Sequence, residues 1–352
     1  MVRPSLKHLA LCSAVLAAAC SAPLDEELSD QEHGHDMASG EEELSPNLLT
    51  GSGLPSKTIA WTVDDGPNPA GTGANTLAIA EYLASEGVPA TFFFVGARLT
   101  GTRNMADWRS KRFPRVSTTL SATIRSIQAL PVAGGAPGHL IANHTFSHQA
   151  SITTLTASER VAEFINTHNL LKPYLTEDIR LMRTPYGAWN ASTFDALQQT
   201  NTGKSYVGNV FWNAGGTLNC SYNTDAGWSC AAPETANTVV DAADWSCWAP
   251  GNGRPAVPVE ECAKGYVNSI EGRGKRGIVL MHDANVKSVA LVKLIIPELK
   301  ARGYRFVRVD QVPIIAAKLA EVRAASTASE QPTHSYPLVV QREDTVRLRS
   351  QP

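Results

Sequence analysis

Short apolar runs alternate with longer amphipathic stretches along the central part of the chain. The apolar runs predict β-strands, because they are rich in β-branched and aromatic residues and are bounded by polar or turn-forming positions. They lie at 57–63, 90–95, 139–142, 179–182, 206–211 and 277–281. The amphipathic stretches predict helices at 75–85, 158–171, 191–199, 260–271, 286–300 and 311–322, and a partly helical segment at 104–130 that Pro114 interrupts.

The order of these predicted elements favours an α/β fold. Strands that alternate with helices build a largely parallel sheet, which is either open or closed into a barrel. The chain has 352 residues, of which 43% are hydrophobic and 18% are charged, so it is long enough for one large domain or two modest ones. No internal repeat of fixed period is present in the sequence.

The first 20 residues predict export. Arg3 and Lys7 precede an apolar run at 9–19, which ends in three alanines followed by Cys20. A basic start, a short apolar stretch and small residues at its end are typical of a secretory signal peptide, and the run is too short for a comfortable membrane span. Cys20 resembles the lipidated cysteine of a bacterial lipoprotein, so we expect a lipid-anchored protein of the cell envelope. Ordinary cleavage near Ala19 or Ala22, which would give a secreted protein, is the alternative.

The segments that flank the central part are predicted to lie outside the folded domain. Residues 21–45 carry nine acidic side chains and neither Lys nor Arg, so we expect an acidic flexible linker at 21–55. Residues 323–352 are predicted to form a C-terminal tail, which either adds an edge strand or stays loose. The chain has a net charge of −2, but residues 46–352 alone carry a mild basic excess. This excess is far too small for a nucleic-acid-binding surface.

Four of the six cysteines lie close together in the central part of the chain. They are Cys220, Cys230, Cys247 and Cys262. An even number of clustered cysteines in an exported chain predicts two disulfide bonds. Four cysteines permit three pairings, and the spacing does not choose among them. A structural zinc site is the competing interpretation, which the lack of any C-x-x-C pair disfavours.

Polar residues follow four of the predicted strands directly. They are Asp64 with Asp65, His144 with His148, Arg183, and His282 with Asp283. In a β/α barrel the carboxyl ends of the strands all face one pocket, so residues far apart in sequence converge there. A single histidine after a strand is more often a cap or a buried hydrogen-bonding residue, but four such positions together predict a functional pocket.

The spacing of His144 and His148 predicts a metal site. Residues four apart lie on the same face of a helical turn, so both imidazoles can reach one ion. Two histidines and a carboxylate leave a coordination position open, as in catalytic zinc sites, and Asp65 is the expected third ligand. Asp64 would then be free to act as a base, because adjacent side chains of a strand face opposite ways. The Gly-Pro turn that follows relaxes this rule locally.

Five short motifs occur in order along the chain. They are Thr62-Val-Asp-Asp-Gly-Pro67, His144-Thr-Phe-Ser-His148, Arg183-Thr-Pro-Tyr-Gly187, Asp241-Ala-Ala-Asp-Trp245 and Leu280-Met-His282. In sequence and order they resemble the five motifs of the NodB-homology polysaccharide deacetylases, carbohydrate esterase family four. The resemblance covers residues 57–322 and implies a catalytic domain there with a distorted (β/α) barrel.

The resemblance also implies a metal centre with a base. Asp65, His144 and His148 would bind one divalent metal ion, with zinc as the default and cobalt, nickel or manganese as alternatives. Asp64 would be the general base, which Arg183 keeps ionised and oriented. A structural ion pair is the alternative interpretation of Arg183.

Further roles follow from the third, fourth and fifth motifs. His282 would be the general acid, tuned by Asp244, which is preferred to Asp241 because it adjoins Trp245. The backbone N–H of Tyr186 would stabilise the oxyanion. Trp245 and Leu280 would line the pocket for the acetyl methyl group, although ordinary core packing is the alternative for Trp245.

One stretch departs from the resemblance. The segment between the third and fourth motifs, 190–240, is longer than is common in the family and contains Cys220 and Cys230. We expect a disulfide-containing insertion near the mouth of the pocket. The aromatic residues of this stretch either stack against sugar rings or pack in the interior; they are Phe211, Trp212, Tyr222 and Trp228.

Three functions are consistent with these observations. The first is removal of N-acetyl groups from GlcNAc residues of a polymer such as peptidoglycan or chitin, which a cell-envelope lipoprotein favours. The second is removal of O-acetyl groups, for example from acetylated xylan, with the same metal and base. The third is an inactive carbohydrate-binding protein, which the presence of Asp64, the metal ligands and His282 argues against.

Overall fold

The structure, a computed structural model, describes residues 48–67, 74–100, 118–149, 152–175, 179–215, 218–230, 240–241, 244–248, 255–283 and 285–330. The predicted signal peptide, Cys20, most of the predicted linker and most of the predicted tail lie outside these residues. Among the described helices, none combines the length and the apolar sequence that a membrane span requires.

Strands and helices alternate through the described part of the chain. The strands are β1 (Thr58–Gly66), β2 (Ala90–Phe94), β3 (Leu140–Asn143), β4 (Asn219–Asn223), β5 (Gly227–Ser229), β6 (Val240–Asp241), β7 (Arg276–His282) and β8 (Arg305–Val307). The helices are α1 (Ala74–Ser85), α2 (Gly96–Leu99), α3 (Thr118–Ala129), α4 (Ala157–Leu171), α5 (Ala191–Gln198), α6 (Asn201–Lys204), α7 (Asp244–Cys247), α8 (Val259–Gly272), α9 (Lys287–Ala301) and α10 (Pro313–Glu330). The predicted α/β class is therefore confirmed.

A parallel sheet forms the centre of the fold. Its strands lie in the order β3-β2-β1-β7, and β8 also pairs with the first residues of β1. Alternate residues of β1 enter two different apolar clusters, since Ile59, Trp61 and Val63 belong to one and Ala60 to the other. Both faces of the strand are thus buried, which explains its nearly continuous apolar sequence.

Single bridges extend the sheet beyond its regular strands. Asn143 pairs with Met182, Leu181 with Val207, and Ala214 with Val279 of β7, all in parallel. These contacts lead from the β3 edge back to β7, so the sheet curves round towards itself although its regular strands do not form a closed barrel.

The predicted strands at 179–182 and 206–211 are present only as these bridges. Asn209 instead anchors its segment through the side chain, because its amide accepts from the Thr184 N–H and donates to Thr184 Oγ1. A few backbone hydrogen bonds, such as those that the Met182 and Val207 N–H groups donate, together with the Asn209 side chain take the place of the regular ladder that the apolar sequence predicted.

Part of the segment predicted to be a linker belongs to the fold. Leu49 pairs with Val210, and both Leu49 and Leu54 are buried in the apolar cluster that contains Ala60. At the other end, α10 continues to Glu330, past residue 323 where the tail was predicted to begin. The predicted domain boundaries at 57 and 322 therefore exclude residues that belong to the fold.

The segment between the third and fourth motifs contains a small antiparallel sheet, ordered β5-β4-β6. A disulfide bond between Cys220 and Cys230 joins the two sides of the β4–β5 hairpin, and a second one joins Cys247 of α7 to Cys262 of α8. The predicted disulfide-containing insertion is thus present. All four cysteines are used in disulfides, which rules out the alternative zinc site.

Candidate active site

The end of β1 directs two adjacent carboxylates into one pocket. The pairing of β1 with β2 changes register between Val63 and Gly66, and Asp65 has a left-handed φ of 73°. His144 Nε2 consequently lies 3.7 Å from Asp64 Oδ2 and 3.4 Å from Asp65 Oδ1. The alternation of an extended strand is broken at this point, so neighbouring side chains face the same imidazole.

Asp65, His144 and His148 form the candidate metal site. One ligand atom of each residue lies within 4.8 Å of the others, and Asp65 Oδ1 is 3.0 Å from His148 Nε2. Burial works to raise the pKa of Asp65, but the charge of His148 and hydrogen bonds from both imidazoles hold this pKa well below its usual range. The carboxylate is therefore ionised and suited to bind a cation.

A loop, and not a helical turn, presents the two histidines. The residues after β3 form no helix as far as 149, and Thr145 and His148 adopt left-handed φ values of 62° and 54°. The prediction that the four-residue spacing acts through a helical turn is therefore wrong. The chain turns back here over the end of the sheet, where the N–H groups of Gly96 and Ala97 donate to the carbonyls of Thr145 and Phe146.

Asp64 is paired with a buried arginine. Arg183 Nη1 donates to Asp64 Oδ1 over 2.6 Å, and both side chains are almost fully buried. The guanidinium also donates to Thr62 Oγ1 and to the Val210 carbonyl, and its carbon lies 4.3 Å from the centre of the Phe93 ring. Burial lowers the pKa of Arg183 and the Asp64 charge opposes this effect, so the guanidinium keeps its proton.

Asp244 accepts two hydrogen bonds from His282, one from the ring and one from the backbone N–H. His282 Nδ1 lies 2.7 Å from Asp244 Oδ1, and the His282 backbone N–H donates to Asp244 Oδ2 over 2.6 Å. Burial alone would lower the pKa of His282, but the Asp244 charge and hydrogen bond outweigh it and raise the pKa to about 10. Because His282 pairs with Asp64 across β7 and β1, a protonated imidazole and a carboxylate stand at the same level of the sheet.

The other predicted pocket residues differ in their position relative to the candidate metal site. Tyr186 has a left-handed φ of 57°, and its ring lies 4.9 Å from the His148 ring. Leu280 lies two residues before His282 on β7, so the two side chains share one face of the strand. The side chain of Trp245 lies outside the described residues.

Two pairs of aromatic rings occupy different surroundings. Phe211 and Trp212 are stacked with ring centres 4.3 Å apart, and the Trp212 ring lies 5.7 Å from the Arg183 guanidinium carbon. The second pair, Tyr222 and Trp228, faces across the β4–β5 hairpin at 5.3 Å. The first pair therefore borders the buried ion pair, whereas the second lies in the insertion, where Trp228 Nε1 donates to the Pro255 carbonyl.

Residues 51–203 match the sequence profile of the family described as "Polysaccharide deacetylase". The chain is similar to this family over these residues, which make up less than half of its length. The deacetylase match includes the three candidate metal ligands and the Asp64–Arg183 pair, whereas Asp244 and His282 lie beyond its end.

Relatives within the deacetylase family align over different lengths. A chitooligosaccharide deacetylase of Rhizobium leguminosarum bv. trifolii is 30% identical over 140 residues, which are 40% of this chain and 51% of that protein. A peptidoglycan-N-acetylglucosamine deacetylase of Bacillus cereus is 24% identical over 261 residues, which are 73% of this chain and 88% of that protein. The solved Bc1960 peptidoglycan N-acetylglucosamine deacetylase has 21% identity and a TM-score of 0.46, over 77% of this chain and 94% of that chain. The chain spans about half the length of the Rhizobium relative.

Sequence reasoning missed one buried acidic residue beside the candidate metal site. Glu163 of α4 is fully buried and accepts hydrogen bonds from Phe146 and Ser147, which lie between the two candidate histidine ligands. A usable signal was present, because Glu163 lies one and two helical turns before the buried Thr167 and Leu171. A carboxylate on the buried face of a helix requires a partner and is rare without one.

Proposed function

We propose that the protein is a metal-dependent hydrolase that removes N-acetyl groups from GlcNAc residues of a polysaccharide such as peptidoglycan or chitin. One observation carries the proposal: three candidate metal ligands, a carboxylate paired with a buried arginine and a protonated histidine lie at one end of the sheet. The names of the relatives, which are deacetylases of chitooligosaccharides and of peptidoglycan, support this substrate class.

The residues present fit a divalent metal ion. Asp65 Oδ1 is buried, and the donors that face it are the imidazoles of His144 and His148. His144 Nδ1 lies 2.9 Å from the carbonyl oxygen of Arg183, which accepts its proton and leaves Nε2 for the metal. A cation held there, by default zinc with cobalt, nickel or manganese as alternatives, would polarise the acetyl carbonyl and lower the pKa of a water molecule.

The proton transfers fall to two residues that pair with each other across β1 and β7. Asp64 takes the proton from the attacking water, because its Oδ2 lies beside the candidate ligands while Arg183 holds Oδ1. His282 donates its proton to the departing nitrogen, with Asp244 fixing the ring through Nδ1 and leaving Nε2 to face the substrate. The backbone N–H of Tyr186 is the proposed oxyanion donor, and Leu280 with Trp245 the proposed wall for the acetyl methyl group.

An amide substrate suits these residues better than an ester. An amine is a poor leaving group until its nitrogen is protonated, so an amidase needs an acid that still carries a proton at neutral pH. The Asp244 contacts hold His282 in that state. Removal of O-acetyl groups, with a better leaving group, stays the alternative and is an outcome of the test below.

We further propose that the protein acts in the cell envelope, anchored by a lipid on Cys20 or otherwise secreted. The two disulfide bonds support this location, because disulfides persist in oxidising compartments and are rare in the bacterial cytosol. An acetylated cell-surface polysaccharide would then be the partner of the site.

The test is acetate release by the purified protein, with and without a chelator. Chitin oligomers, peptidoglycan and acetylated xylan are offered in parallel to the wild type, Asp64→Asn, His144→Ala and Asp225→Asn. Asp225 is an exposed carboxylate in the β4–β5 turn and serves as the matched control for Asp64. We expect acetate from a GlcNAc polymer, abolished by chelation and reduced about 10²–10⁴-fold by Asp64→Asn.

Each other outcome points to a different function. Release from xylan alone would favour the O-acetyl alternative, and activity that survives both chelation and His144→Ala would rule out the metal mechanism. A protein that binds metal and sugar polymer but releases no acetate from any substrate would be an inactive carbohydrate-binding protein.

A further inference from the structure

We propose that Glu163 is a positioning residue for the candidate metal site, because its buried carboxylate holds the loop that carries His144 and His148 in the conformation that binds the cation. This inference rests on the proposed metal-dependent function. It concerns a residue that lies outside the five motifs and on a different element from any candidate ligand.

Glu163 accepts three hydrogen bonds from the middle of the loop. Its Oε2 accepts from the backbone N–H groups of Phe146 and Ser147 over 2.9 and 2.8 Å. Its Oε1 accepts from the Ser147 hydroxyl over 2.5 Å. Three donors converge on this one carboxyl group, and Glu163 is fully buried, so water does not compete for the hydrogen bonds.

The loop requires such support because its backbone is strained. Thr145 and His148, the residues on either side of this contact, both have left-handed φ values, of 62° and 54°. Residues other than glycine enter this region at a cost and remain there only when surrounding contacts hold them. The Glu163 carboxylate binds the two N–H groups between the strained positions, and it thereby fixes the direction of the His148 side chain.

α4 carries Glu163 rigidly and contacts the loop at a second point. The helix begins with a capping box, in which the Thr156 side chain accepts from the Glu159 N–H and Glu159 accepts from the Thr156 N–H. The Phe164 carbonyl, one residue after Glu163, accepts from Asn143 Nδ2 at the end of β3 over 3.0 Å. The loop is therefore held to the same turn of α4 before His144 and again before His148.

Cobalt binding by the metal-free protein tests the inference without any substrate. Wild type, Glu163→Gln, Glu163→Ala and Ser147→Ala are titrated with Co²⁺, and both the dissociation constant and the visible ligand-field spectrum are recorded. Leu171→Ala is the matched control, since it removes buried side-chain volume from the same helix face two turns away from the loop contact. His144→Ala serves as the reference for loss of the site itself.

We expect Glu163→Ala to weaken cobalt binding about 10–100-fold and to change the spectrum, because the histidines lose their fixed directions. Glu163→Gln should lose much less cobalt affinity, since an amide can still accept from the two N–H groups and donate to the Ser147 oxygen. Ser147→Ala should also lose a small part of the cobalt affinity. Leu171→Ala should melt at lower temperature and bind cobalt as the wild type does.

The inference is overturned if Glu163→Ala binds cobalt with wild-type affinity and spectrum, or if Leu171→Ala weakens binding as much. Should Glu163→Ala not fold, wild-type affinity and spectrum in both Glu163→Gln and Ser147→Ala would overturn it equally. Cobalt binding that His144→Ala leaves intact would instead overturn the metal site, and with it the proposed function.

Discussion

Asp64 and Asp65 are neighbours in the chain, but the backbone gives them different partners. Asp65 leaves the extended conformation with its φ of 73°, a region that aspartate tolerates better than most residues. Its carboxylate then faces the two histidines, while Asp64 stays in the ladder with β7 and binds Arg183. A single residue of irregular backbone thus lets a candidate base and a candidate ligand, which are adjacent in the chain, meet at one site.

Replacing Asp244 by asparagine is expected to move the alkaline limb of the activity profile to lower pH. In the wild type the pKa of His282 is about 10, and without the Asp244 charge and hydrogen bond only the smaller effects of the Asp65 and Asp64 charges oppose the lowering of this pKa by burial. The wild-type imidazole therefore keeps its proton through the alkaline range, whereas the imidazole of the variant loses it at lower pH. The activity of the variant relative to the wild type should consequently fall as the pH rises. The measurement is kcat/KM for acetate release across that range, since this ratio reports protonation of the free enzyme. Parallel profiles for the two proteins would exclude His282 as the proton donor.

The residues of the site were accessible to sequence reasoning to different degrees. The two histidines and the aspartate pair follow predicted strands and stand in recognisable motifs, so their convergence could be predicted. The left-handed backbone at Thr145 and His148 could not, because neither residue type marks that conformation in the way that glycine does. For Glu163, the helical pattern indicated a buried carboxylate that needs a partner, but two of its three donors are backbone N–H groups, which leave no trace in the sequence.

Among the elements, α7 is the smallest that carries a catalytic candidate. It has Asp244 at its first residue and Cys247 at its last, and the Cys247–Cys262 disulfide ties it to α8. A helix of one turn is not stable by itself, so its position depends on such tertiary links.

The double variant Cys247→Ser/Cys262→Ser is therefore expected to lower kcat/KM and to move the alkaline limb to lower pH, as Asp244→Asn does. Cys220→Ser/Cys230→Ser is the matched control, because the two bridges span comparable separations of 10 and 15 residues. Each removal should cost about 2–5 kcal/mol of unfolding free energy in urea, but only the first should alter the pH profile. A wild-type profile in both double variants would mean that α7 is held by other contacts.

The helices and strands also differ in how well their sequences predict them. Helices α1, α4 and α9 follow long periodic patterns and begin and end within a few residues of the predicted limits. The β4–β5 hairpin was not predicted, because Asn219-Cys-Ser-Tyr-Asn223 is polar and short and a disulfide and pairing with β6 replace an apolar face. The apolar segments at 179–182 and 206–211 gave the opposite error, since they pair through single bridges only.

In the molecule as a whole, the position of the site follows from the parallel sheet, and this part was predictable. The strands run in one direction, so the residues after β1, β3 and β7 meet at one end. How the sheet curves back to β7 was not predictable, because it rests on single backbone bridges between distant segments and on polar contacts such as that of Asn209 with the Thr184 N–H. Long-range polar contacts of this kind have no periodicity that a local pattern could reveal.

A cation in the candidate site would link parts of the molecule that are far apart in the chain, and thermal unfolding should report this. Asp65 lies at the end of β1, whereas His144 and His148 lie on the loop after β3, so only the folded chain brings the three ligands together. A ligand that binds only the folded state adds about 2.7 kcal/mol of stability at a concentration 100 times its dissociation constant. We therefore expect zinc to raise the unfolding temperature of the metal-free wild type and a chelator to lower it again.

The control for this measurement is His144→Ala, which should unfold at a temperature that neither zinc nor chelator changes. The comparison separates the candidate site from weak binding elsewhere, for example to the histidines in the acidic segment at 21–45, because that segment is intact in the variant. Stabilisation of equal size in wild type and His144→Ala would place the bound zinc outside the candidate site. Asp65, His144 and His148 would then not be the zinc ligands, although their geometry and charge support that role.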